Sequence, residues 1–178
     1  MSSSNQSDTP VIVTPSQTVG PYFKIGLIDE RWTRMIPPGE GPLITVAGTV
    51  LDADGKPVPD AMLEIWQPDR RAFGRFGTDP ADGSFTFQTL LPAGLRQPDG
   101  ATHAGHLNVS VFARGLLKRL HTRIYFEGDP LNVADPILAL VPEARRATLI
   151  ARPTDASRHL FGFDVRLSGP GETVFFDC

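Results

Sequence analysis

Cysteine is all but missing from this chain: the single one, Cys178, stands at the last position. No intramolecular disulfide can form, so the core alone must hold the fold, and a reducing cytoplasm is the simplest home. At the end of the chain that thiol reads as inert rather than catalytic. No apolar run approaches the roughly 20 residues that a membrane span requires. The opening MSSSNQSDTP has neither the basic nor the apolar region of a secretory leader. Positive charge is not in excess either. A net charge of −3 gives no electrostatic case for nucleic acid or an anionic membrane surface.

What remains is the composition of an ordinary soluble domain, 40% apolar and 21% charged over 178 residues. That length suits one domain with a real core. Seventeen glycines and seventeen prolines punctuate the chain, which favours many short strands over long helices. LITVAGTVLDADGKPVPDAMLEIWQ reads as strand, Asp-Gly turn, strand, with Met62 and Trp66 on one face and Leu63 and Ile65 on the other. A second Asp-Gly turn at Asp82-Gly83 leads into Phe85 and Phe87 on one face, and Phe161, Phe163 and Val165 mark a later strand. Helical character is confined to DPILALVPEARRATLI, where Pro136 and Pro142 keep any helix short. The expected architecture is all-β, an antiparallel β-sandwich of the prealbumin-like kind with short helical segments in its loops. Residues 1–13 are expected to be a mobile tail and 14–178 a single domain.

ATHAGHLNVSVFARG raises the chemical question. His103 and His106 stand three apart, just before an alternating strand. Leu107, Val109, Val111 and Ala113 form its core face, while His106, Asn108 and Ser110 share the other. In RLHTRIYFE, Leu120, Ile124 and Phe126 point inward and Arg119, His121, Arg123, Tyr125 and Glu127 share the opposite face. Pattern alone leaves two readings open: a polar face that meets water, or a face that works.

Five stretches in order, TPSQTVGPYFKIGL, VAGTVLDADGKPVPDAMLEIWQPD, GRFGTDPADGSFTFQTLLPAG, HLNVSVFARGLLKRLHTRIYFEGD and GPGETVFFDC, resemble the intradiol ring-cleavage dioxygenases. The resemblance runs from about Thr14 to Cys178. It implies a family that opens catechol rings with dioxygen at a mononuclear, non-haem ferric iron held by two tyrosines and two histidines. Phenolates are hard anionic donors that favour Fe(III), and a His-x-His pair on a strand puts both rings on one face.

Against that pattern the ligand positions here are degenerate. The His-x-His pair has become His106-Leu107-Asn108, and an asparagine amide is a poor ligand for ferric iron. The only tyrosines, Tyr22 and Tyr125, fall outside the segments that would carry ligands, and Leu95 stands where a phenolate is expected. His103 replaces an arginine expected in a ligand-bearing subunit, and His103 with His106 would need a third ligand to hold even an adventitious zinc ion. The chain is therefore expected to bind no metal and to have no catalytic residue of its own.

The resemblance implies a hetero-oligomer, in which a homologous subunit carries the iron and this chain lends residues to a shared pocket. Carried over by motif, those residues are Thr18, Gly20, Pro21, Tyr22 and Arg123. Gly20-Pro21 would let backbone approach a flat ring. Tyr22 would bond near the substrate carboxylate or stack on the ring. Arg123 would meet the anionic aromatic substrate with fixed charge. Without the resemblance, Gly-Pro is only a turn and Arg123 only pairs with Glu127 or Asp129. Two other readings stand beside it: a non-catalytic prealbumin-like binding module, and a purely structural partner subunit.

Overall fold

The computed structural model describes residues 15, 17–20, 22–37, 39–98, 100–155 and 159–177. The tail expected over 1–13, together with Pro21 and Cys178, lies outside them.

Strands dominate. In chain order they are β1 (Leu43–Leu51), β2 (Met62–Gln67), β3 (Ala72–Gly77), β4 (Ser84–Leu90), β5 (Leu95–Arg96) and β6 (Thr102–His103). β7 (His106–Phe112), β8 (Leu120–Phe126), β9 (Ile150–Asp155), β10 (Leu160–Gly162) and β11 (Val165–Arg166) follow. The helices are short: α1 (Tyr22–Leu27), α2 (Pro136–Leu140) and α3 (Glu143–Arg146). None is long and apolar enough to cross a membrane. The last two sit where the sequence placed helical character, each opened by a proline at or just before its first turn. α1 was not foreseen. It is held by tertiary contacts rather than by an apolar period: Phe23 packs on Phe112 at 5.4 Å between ring centres, and Lys24 Nζ donates to the Pro59 carbonyl at 3.1 Å.

The pairing is mixed, which corrects the antiparallel expectation. The strand order is β11-β1-β10-β9-β8-β7-β2-β3, with β4 also on β1. β8 runs parallel to β9, and β1 runs parallel to both β10 and β11. Parallel neighbours need a long crossover, and the helical segment between Phe126 and Ile150 supplies one. The Asp54-Gly55 turn also falls short of a full hairpin between β1 and β2. It returns the chain only as far as a bridge of Leu51 with Pro57; β2 then pairs with β3 and β7.

One main core gathers Val46, Val50, Phe85 and Phe87 with Leu63, Ile65, Leu107, Val109, Val111 and Ile124. The inner face of β7 is buried as expected. Each such side chain contributes roughly 1.5–3 kcal/mol on burial. That sum fixes the register of β7, because a one-residue slip would turn His106 and Asn108 inward. A second cluster of Ala104, Tyr125, Leu138, Val141 and Leu149 covers the far end of the outer face. Tyr125, placed by sequence among the polar groups of that face, is therefore fully buried.

Candidate functional site

Antiparallel register sets the outer face in rows: His106 opposite Tyr125, Asn108 opposite Arg123, and Ser110 opposite His121. On the other side of β7, Trp66 stands opposite Asn108. The small β5–β6 arm brings Leu95 opposite His103. All three degenerate ligand positions, Leu95, His106 and Asn108, thus lie in one neighbourhood with His103, Arg123 and Tyr125.

His106 is buried, and its Nδ1 lies 2.8 Å from the Ala104 carbonyl. Since a carbonyl only accepts, Nδ1 carries the hydrogen and Nε2 keeps the lone pair. Burial holds the ring below its ordinary pKa, the Ala104 bond raises it in part, and the Arg123 charge lowers it again. The neutral imidazole has the form of a ligand. Its surroundings do not.

The ring centre of His103 is 6.0 Å from that of His106, but its Nδ1 faces the Arg123 Nη1 at 3.4 Å. A cation between the two rings would meet the guanidinium. Tyr125 donates its hydroxyl to Asp135 Oδ1 at 3.0 Å and accepts from Arg123 Nη1 at 3.3 Å. Burial above all pushes its pKa up to about 12, so the group stays a phenol and is no phenolate donor. Leu95 offers only an alkyl group, and among the described residues no three His, Cys, Asp or Glu side chains converge as a metal site. One neutral imidazole, a carboxamide, a protonated phenol and a guanidinium do not fit ferric iron.

Asp135 is the group that sequence reasoning missed. Fully buried, it accepts from Ala104 N (2.9 Å), Tyr125 Oη (3.0 Å), Ile137 N (3.0 Å) and Leu138 N (2.8 Å). Burial favours its protonated form, but the Leu138 and Ala104 amides, the Tyr125 hydroxyl and His103 together bring its pKa below the ordinary value. The signal was the Asp-Pro pair opening PILAL, an N-cap followed by proline.

The residues carried over by motif fall into two groups. Thr18 accepts from the Gly115 amide at 2.8 Å, Gly20 is exposed, and Tyr22 is 80% exposed on α1. This group lies beyond the end of β7, near Phe112. Arg123, half-buried, sits level with Asn108, four residues back or roughly 13 Å along the strand. Glu127 pairs instead with Arg152, and Asp129 accepts from the Leu131 and Gly105 amides. Among the described residues Arg123 forms no ion pair, so the simple surface pairing weighed from sequence is not found.

No protein-family model matches the chain. It is 40% identical to the protocatechuate 3,4-dioxygenase alpha chain of Burkholderia cepacia, over 92% of this chain and 96% of that one. Against the alpha chain of Pseudomonas putida the identity is 38% at the same coverage. The Burkholderia cepacia beta chain is 35% identical over 75% of this chain and 67% of its own length. Among solved structures, the dioxygenase domain of a carbohydrate-binding fusion from Streptomyces sp. SirexAA-E superposes with a TM-score of 0.61. That domain is 30% identical and is covered over 99% of its length by 88% of this chain. At this identity and coverage, the chain belongs to the intradiol ring-cleaving dioxygenases, in the branch of the protocatechuate 3,4-dioxygenase alpha chains.

Proposed function

We infer that this chain is the alpha subunit of a protocatechuate 3,4-dioxygenase and works only when paired with a homologous beta chain. The reaction is 3,4-dihydroxybenzoate plus O2 giving 3-carboxy-cis,cis-muconate, both oxygen atoms entering the product. It belongs to cytoplasmic aromatic catabolism by the beta-ketoadipate route. The strand order from β11 to β3 would fold on itself as a prealbumin-like sandwich, stacked on a similar one. The near-full-length likeness to alpha chains carries this reading.

Fe(III) supplies the oxygen chemistry from the beta chain, since the donor set here does not suit it. What this chain supplies is shape and charge. Arg123 offers its guanidinium to the anionic substrate, while the motif alone assigns Thr18, Gly20, Pro21 and Tyr22 to the side of the flat ring. Tyr22 and Ile25, 80% and 71% exposed on α1, are the apolar surface expected of a segment that a partner covers.

Co-expression with a beta-type chain tests it. The purified pair should consume O2 with protocatechuate, and this chain alone should not. Turnover by the lone chain, or failure to co-purify, would overturn the reading.

A further inference from the structure

We propose that Tyr125 is a positioning residue for Arg123: its hydroxyl, backed by the buried Asp135 carboxylate, anchors one end of the guanidinium and leaves the opposite edge to grip the substrate carboxylate. This rests on the reading of Arg123 given above and adds how its charge is aimed.

A guanidinium has five N–H donors in a rigid plane, two of them on each terminal nitrogen. Here Nη1 donates to the Tyr125 hydroxyl at 3.3 Å, and the His103 Nδ1, an acceptor in the Nε2–H tautomer, stands 3.4 Å away. Nη1 is thus turned towards this chain's own groups and held by Tyr125. Among the described residues, Nε and Nη2 make no hydrogen bond or ion pair, and that edge is the one that matches a carboxylate in the two-point manner. Among the described residues nothing competes for it.

The Tyr125 oxygen is an unusually good anchor. Its own hydrogen is given to Asp135 Oδ1 at 3.0 Å, and donation to a carboxylate makes the oxygen a better acceptor for Arg123. Asp135 in turn cannot shift, because Ala104, Ile137 and Leu138 hold it from three backbone positions. The relay runs from a fixed buried charge, through a phenol with no exposed surface, to a half-buried cation. A long flexible side chain is thereby placed without an ion pair that would neutralise it.

The test uses the assembled alpha–beta enzyme and two variants beside Arg123→Ala. Tyr125→Phe should raise KM for protocatechuate roughly three- to tenfold, the weight of one hydrogen bond, with kcat within about twofold. Catechol, which lacks the carboxylate, should keep its inhibition constant. Added to Arg123→Ala, Tyr125→Phe should change nothing more. If Arg123→Ala raises KM and Tyr125→Phe does not, the positioning role is wrong while the reading of Arg123 stands. If Arg123→Ala is silent, that reading itself fails. Arg123→Lys serves where Tyr125→Phe does not assemble. It keeps the charge but loses the planar fork, and should raise KM nearly as much as alanine; a wild-type KM would overturn the proposal.

Discussion

The hydroxyl of Tyr125 donates to Oδ1 of Asp135 over 3.0 Å, and neither residue has exposed surface. The pair ties β8 to the start of α2, and through the Ala104 amide it also fixes the loop before His106. The carboxylate serves as helix cap, loop anchor and acceptor for a phenol at once. Asp135→Ala should accordingly cost about 3 kcal/mol, since several buried donors lose their acceptor together. Urea unfolding of the assembled enzyme measures it, and a loss below about 1 kcal/mol would contradict the network.

Iron is the second test. Purified alone, the chain should be colourless and bind no stoichiometric Fe(III). Asn108→His should not change this, because Leu95 still offers no donor and Tyr125 is locked as a phenol. A visible tyrosinate-to-iron absorption band from the single chain would sink the claim.

Partnership should show in solution. Tyr22, Ile25, Leu117, Val133 and Leu140 are each more than 60% exposed. Isolated, the chain is expected to self-associate, with rescue on co-expression of a beta-type partner. Light scattering after size exclusion decides it; a monodisperse monomer whose melting is independent of concentration would count against a permanent seam.

Replacing Arg123 by alanine in the assembled enzyme should raise KM for protocatechuate by on the order of ten- to a hundredfold, the worth of a charge-assisted contact. Iron content and particle size should stay unchanged. Steady-state kinetics beside an iron assay give the answer. Unchanged kinetics would favour a purely structural subunit, and loss of assembly would make Arg123 an interface residue.

Acid should loosen the site through His106. Its folded pKa lies below its ordinary 6.5, because burial opposes the charged ring. The unfolded chain therefore binds the proton first as pH falls, so the stability this ring contributes is full above pH 6.5 and is lost below it. His121, also lowered by burial, acts with the same sign. His106→Gln, which cannot titrate, should show a shallower fall in melting temperature from pH 7 towards pH 5 (about two units, spanning the ordinary histidine range). Parallel curves for the two proteins would dismiss the effect.

The sequence by itself determined which residues of β7 face the core, because a strand alternates with a period of two and Leu107, Val109 and Val111 share one parity. It also determined what is missing: leucine at 95 and asparagine at 108 cannot become anionic donors in any fold. The resemblance lay in contiguous stretches, and so needed no third dimension. Tertiary structure alone decided the rest. An alternating pattern cannot say whether its second face meets water, and Tyr125 is buried only because α2 and Leu149 pack over it. Parallel pairing of β8 with β9 depended on a crossover whose path no local signal records. Asp135 reads in sequence as a helix cap, and became the centre of a buried network because Ala104 and Tyr125, 31 and 10 residues away, end within hydrogen-bond reach. Local preference fixes what each residue can do, whereas long-range packing fixes which others it meets.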